Sequence, residues 1–142
     1  MTRYFEVAEG FNKEDVVLPT RQTTKSAGYD FTASEDVTIP AGQMRLVKTG
    51  VAARMQDDEV LELFVRSSLA YKHQVTLQNG VGIIDRDFFP NPIGVPLRNE
   101  GEKPFVVKKG ERIAQGLFKK YLKTTNDHVE AKRNGGFGST GK

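Results

Sequence analysis

The stretch Val75-Thr76-Leu77-Gln78-Asn79-Gly80-Val81-Gly82-Ile83-Ile84-Asp85 decides the reading of the fold. Two short β-type runs flank Asn79-Gly80, a pair that accepts the positive φ of a tight turn, so the sequence reads as a two-residue hairpin. The same grammar continues in both directions. Upstream lie Val37-Thr38-Ile39, a run over 44–51, and Val60-Leu61-Glu62-Leu63-Phe64-Val65. Downstream, Phe105-Val106-Val107 leads to a second turn at Lys109-Gly110, and residues 113–118 alternate again. Gly28, Pro40, Gly42, Gly50, Pro90, Pro92, Gly94, Pro96 and Gly101 punctuate the rest. Many short strands with frequent turn signals indicate an all-β sandwich, jelly roll or barrel. Helix is confined to one or two turns around Ser67-Ser68-Leu69-Ala70-Tyr71-Lys72, with Ser67 or Ser68 as the expected N-cap.

At 142 residues the chain is one domain, large enough to bury its own core. The expected division is a β domain over 1–132 and a tail over 133–142. The last eight residues hold four glycines, which leaves little to pack, so mobility is expected there. There is no cysteine, so disulfides, thiol catalysis and cysteine-bound metals are excluded. His73 and His128 are the only imidazoles, too few for a multi-histidine centre, and both read as surface or structural residues. A net charge of +3, with no basic run longer than two residues, gives no footprint for duplex nucleic acid but suits a small polyanion. The N-terminus reads without an apolar secretory segment and no run approaches the ~20 residues of a membrane span, so a cytoplasmic protein is expected.

Five segments carry polar groups suited to chemistry. Arg66-Ser67-Ser68 stands where a strand gives way to a helix start, whose unpaired N–H groups favour an anion; N-capping beside a surface arginine would give the same string. Asp85 and Asp87 follow an apolar strand, where an aspartate can activate water or bind magnesium, or simply close a solvated turn. Ala27-Gly28-Tyr29-Asp30 reads as a glycine turn with one acid. Glu111-Arg112-Ile113-Ala114-Gln115 sets an arginine and a glutamine on an apolar strand. The stretch Arg133-Asn134-Gly135-Gly136-Phe137-Gly138-Ser139-Thr140-Gly141 reads either as a floppy tail or as a glycine loop that wraps phosphate with one inserted ring.

Taken in order, these five segments resemble the homotrimeric dUTP pyrophosphatases, over residues 27–141. The resemblance implies a compact jelly roll with one short helix and a flexible glycine-rich tail. It implies hydrolysis of dUTP to dUMP and pyrophosphate by water attack on the α-phosphorus, which limits uracil in DNA and supplies dUMP for thymidylate synthesis. Asp85 would hold and deprotonate the water. Mg2+ would bridge the phosphates, with Asp30 holding it through water. Arg66, Ser67, Ser68 and Gln115 would bind phosphate oxygens, and Arg133, Gly138 and Ser139 would add tail contacts. Asn79, Gly82 and Ile84 would frame the uracil, Phe88 would lie against the deoxyribose, and Phe137 would stack on the base. The expected assembly is a homotrimer with sites between subunits. Two departures stand out: Phe88 occupies the place of a usual tyrosine, and Arg133 is one step nearer Phe137 than the usual tail arginine. Residues 89–92 also look inserted relative to the shortest relatives.

The same fold hosts dCTP deaminases, but these need a catalytic glutamate in a strand after the hairpin, and Glu100 and Glu102 lie in a turn-like stretch. A non-enzymatic regulatory protein on this fold is disfavoured by the retained Asp85 and glycine tail. A regulatory side role toward a protein partner stays open.

Overall fold

The computed structural model describes residues 2–133. Its strands are β1 (Tyr4–Val7), β2 (Tyr29–Thr32), β3 (Val37–Ile39), β4 (Met44–Lys48), β5 (Val51–Arg54), β6 (Glu59–Val65), β7 (Val75–Leu77), β8 (Gly82–Asp85), β9 (Gly94–Asn99), β10 (Phe105–Val107) and β11 (Arg112–Lys120), with one helix, α1 (Ser67–His73). They form a four-stranded sheet in the order β2-β11-β6-β8, a three-stranded sheet β4-β9-β7, and the pairs β1-β5 and β3-β10. All pairings between these strands are antiparallel. One apolar cluster joins them: Phe31, Leu61 and Leu63 from the four-stranded sheet meet Val47, Val95 and Leu97 from the three-stranded one, with Ile39, Val51 and Val107 from the two pairs. This is the all-β domain with one short helix that the sequence predicts. No described helix is long and apolar enough to cross a membrane.

The hairpin expectation is corrected. β7 pairs with β9, whereas β8 pairs with β6, so Asn79-Gly80 carries the chain from one sheet to the other. The turn itself is real: Gly80 has φ +76°, and its N–H donates to Leu77 O at 3.0 Å. A positive φ suits glycine, but it does not decide whether the flanking strands pair with each other. The helix cap is also corrected. Arg66 holds the N-cap position in extended backbone, and Ser67 and Ser68 are the first two helical residues.

β9 escaped the sequence reading because Pro96 lies within it, and proline argues against an inner strand. It sits there because its carbonyl still accepts from Gln78 N at 2.8 Å, where the β7 pairing ends at Leu77–Leu97. β2 was hidden in what reads as a glycine turn. The 44–51 run divides at Thr49-Gly50 into β4 and β5.

Candidate active site

The four-stranded sheet buries one face, and the register fixes which residues stand on the other. Along β6, Leu61 and Leu63 are buried, so Val60, Glu62 and Phe64 face outward. Cross-strand partners share a face, which places Asp30–Gln115–Phe64 in one outward row, Leu117–Glu62–Ile83 in the next, and Lys119–Val60–Asp85 in the third. Asp30 and Asp85 therefore lie on opposite edge strands. Three strand spacings and four residues separate them, about 14 Å across the sheet and about 13 Å along it.

At the β8 edge a cavity of about 280 Å³ is bounded by Asn79, Gly82, Ile84, Asp85 and Phe88, with Leu77 and Pro96 from the second sheet. Gly82 and Ile84 are buried and supply an apolar wall with backbone groups along it, while Asp85 ends the strand in the open. Asp85 then takes the N-cap position of a 3-10 turn over Arg86–Phe88 without spending its side chain on the cap. Within that turn Phe88 is 7% exposed, part of the core and of the cavity lining at once. The Asp85 carboxylate accepts from the Nη2 of Arg133, and Asp87 Oδ1 accepts from Arg133 Nε at 2.7 Å. The Asp87 hydrogen bond is the main reason the guanidinium is held above its ordinary range, with burial opposing it.

At the β2 edge a wider cavity of about 590 Å³ collects Gly28, Asp30, Arg66, Ser67, Ser68, Arg112 and Gln115. The first N–H groups of α1 have no partner within the helix by geometry, and they belong to the residues that carry the two hydroxyls. Arg66 Nη1 donates to Arg112 O at 3.4 Å, and Arg112 Nη1 stands 3.4 Å from Asp30 Oδ2. Gln115 and Asp30 are direct cross-strand partners. A Cβ on Gly28 would come within 2.7 Å of Gln115 Oε1, so only glycine lets the carboxamide lie against that backbone. Two cationic side chains, two hydroxyls, an amide and one carboxylate make a surface for an oxyanion with a hydrated cation beside it.

The structure thus brings Asn79, Gly82, Ile84, Asp85, Phe88 and Arg133 together at one edge, and Asp30, Arg66, Ser67, Ser68 and Gln115 at the other. The two cavities have no lining residue in common. Phe137, Gly138 and Ser139 lie outside the described residues. Asp87 and Arg112 lie inside the strings that the sequence marks for chemistry, but their roles depend on partners 46 and 82 residues away. His73 packs its ring on Phe105, with centroids 5.0 Å apart. Glu100 pairs with Arg98, and neither Glu100 nor Glu102 borders either cavity.

A family profile described as dUTPase matches residues 14–141. The chain is 40% identical, over 98% of its length and 97% of the relative, to the deoxyuridine 5'-triphosphate nucleotidohydrolase of Lactococcus lactis. It is 37% identical over 91% of its length to that of Crocosphaera subtropica, of which 94% is covered. Among solved structures, the dUTPase of Streptococcus mutans superposes with a TM-score of 0.82 at 39% identity, over 87% of this chain and 99% of that one.

Proposed function

The chain belongs to the dUTPase family and hydrolyses dUTP to dUMP and pyrophosphate, and from that premise we propose how its two separated cavities share one nucleotide. The observation that carries the reading is their placement. An attacking water and a phosphate-bound cation must converge on one phosphorus within a few ångströms, yet Asp85 and Asp30 of one chain stand on opposite sheet edges. A complete site therefore joins the β8 edge of one chain to the β2 edge of the next. Such a head-to-tail contact closes into a ring, and three copies is the number the family resemblance implies. The outward face between the edges suits burial: Ile83 is 56% exposed, with Phe64 and Leu117 half-buried beside the Lys119–Glu62 ion pair.

In this arrangement the β8 cavity takes the deoxyuridine. The backbone over 79–84 offers a donor and acceptor pattern to the uracil edge, and cytosine reverses that pattern at position 4, leaving buried groups unpaired. Phe88 lies against the sugar, where its ring blocks a 2′-hydroxyl. Asp85 accepts a proton from the water that attacks the α-phosphorus. The neighbouring chain's β2 edge holds the triphosphate: Arg66 by its forked guanidinium, Ser67 and Ser68 by hydroxyl and N–H, and Gln115 by its amide. These contacts align the scissile bond, and positioning carries much of the rate in phosphoryl transfer. Arg133, Phe137, Gly138 and Ser139 close over the nucleotide from the tail.

The donor set fits magnesium in one form. No group of three or more His, Cys, Asp or Glu residues able to hold a metal occurs among the described residues. Among the described residues lining the phosphate cavity Asp30 is the one carboxylate, with Arg112 3.4 Å from its Oδ2, which suits Mg2+ held mainly by phosphates and water. When bound, Mg2+ offsets the charge that grows on the leaving pyrophosphate. A protein partner acting through nucleotide binding is compatible with this reading but not required by it.

The deciding experiment is pyrophosphate release from dUTP, dTTP, dCTP and UTP, with and without Mg2+, by the native protein and Asp85→Asn. Turnover of dUTP alone is expected. The variant is expected to bind nucleotide within several-fold of native and to lose about 100-fold or more in kcat. Near-native turnover would remove Asp85 from the role.

A further inference from the structure

Arg133 reaches the β8 cavity from a stretch, 121–133, without helix or strand, whose backbone is tied by few hydrogen bonds. Its side chain is nevertheless only 16% exposed. The guanidinium spans two carboxylates, one at the end of β8 and one in the 3-10 turn, and it lines the same cavity as Asn79, Gly82 and Ile84. A carboxylate oxygen that already accepts from a guanidinium is closed on that side to a water. One oxygen of the half-exposed Asp85 is therefore occupied in the nucleotide-free chain by the very arginine expected to serve the phosphates.

We propose that Asp87 is a positioning residue that parks Arg133 over Asp85 in the nucleotide-free protein, so that an incoming triphosphate must draw the arginine away before Asp85 takes a proton. The inference rests on the reading of Asp85 as the water-activating group. Asp87 suits the parking role because the Nε bond to it holds the guanidinium from the side, while Nη2 reaches Asp85. A triphosphate offers denser negative charge and bidentate acceptors, so it outcompetes two half-exposed carboxylates for the same fork. The parked form is a resting state that cannot engage substrate fully, and its population raises the apparent KM by the reciprocal of the competent fraction. Release leaves Asp85 bare at the moment the nucleotide is in place.

The test is Asp87→Asn in the full-length protein, with steady-state kinetics on dUTP and limited trypsin cleavage after Arg133 followed by mass spectrometry without nucleotide. Parking predicts a KM lower by about 2- to 5-fold, the scale of one exposed ion pair, with kcat unchanged. Cleavage after Arg133 should quicken by a similar factor, and Asp87→Glu should restore native values of both. An unchanged or raised KM, a fall in kcat, or equal cleavage rates would each overturn the proposal. Should Asp87→Asn fail to fold, the native protein answers by itself. Its cleavage after Arg133 should be slow at low salt and rise with ionic strength, and a rate indifferent to salt counts against parking. Failure here leaves the site reading intact, because that reading falls only if Asp85→Asn retains turnover.

Discussion

The two edges of the four-stranded sheet each set an arginine against an aspartate, yet they do so with different attachments. At the β2 edge, Arg112 is carried on β11, within the sheet that holds Asp30 on β2. At the β8 edge, Arg133 comes from an irregular stretch and is held through its side chain. In the first pair both backbones are fixed by the sheet, and the side chains meet at 3.4 Å with Arg112 half-exposed. In the second pair the strand supplies only the carboxylate, and the arginine comes from a stretch without helix or strand. A group that must accept a proton needs a neighbour that leaves.

The largest expected effects come from breaking each edge separately. Asp85→Asn and Arg66→Ala should each abolish most turnover. If the edges belong to different chains within one site, refolding the two variants together should restore about a quarter of native activity, since a ring of mixed chains pairs an intact β8 edge with an intact β2 edge that often. Recovery no greater than the sum of the separate variants would place a whole site within one chain. Next in size is a chain ending at Lys132, which loses Arg133 and the closing tail together. Its kcat should fall by about 10-fold or more, because contacts that strengthen in the transition state are gone. Its melting temperature without nucleotide should stay near native, since every described strand lies upstream. Phe88→Ala should raise UTP turnover relative to dUTP, whereas Phe88→Tyr should leave the ratio alone; kinetics on the two nucleotides tell them apart.

The smallest effect marks a carboxylate in neither edge. Glu59 is 4% exposed, and its hydrogen bonds with Arg3 hold its carboxyl below the usual range despite the opposing pull of burial. A lowered carboxyl stabilises the fold above its unfolded value, and the contribution is lost as pH falls through the lower folded value. Glu59→Gln should therefore lower Tm by about 4 °C at pH 7, the scale of one such interaction. The deficit should shrink as pH falls below the ordinary glutamate range, about 4.3, and be gone once pH has passed through the lower folded value. Thermal melts across that range check the sign, and turnover at pH 7 should not change.

Much of the chemistry was legible because it is written in short strings. Arg66-Ser67-Ser68, Asp85 and Phe88 were legible as candidates since each lies within a motif whose members are neighbours in the chain, and all of them line one cavity or the other. Asp87 and Arg112 sat in view inside those same strings, but their importance depends on partners far away in sequence. The Gly28 motif read as a turn because a glycine before a short polar run looks like one. Only the fold shows that Gln115 lies against this glycine, where an added Cβ would push its carboxamide aside.

Local sequence determined the β-rich character of this chain, the position of the one short α-helix among the described residues and the strings that hold its candidate site residues. Alternation of apolar residues and turn chemistry act over a few residues, and they read the same in any context. Tertiary structure alone decided that β7 and β8 join different sheets, that Pro96 sits inside a strand, that Asp30 and Asp85 face outward from opposite edges, and that Arg133 rests on Asp85 and Asp87. Those outcomes turn on which strand supplies each backbone hydrogen bond. That choice is settled by burying one shared core, not by the residues on either side of a turn.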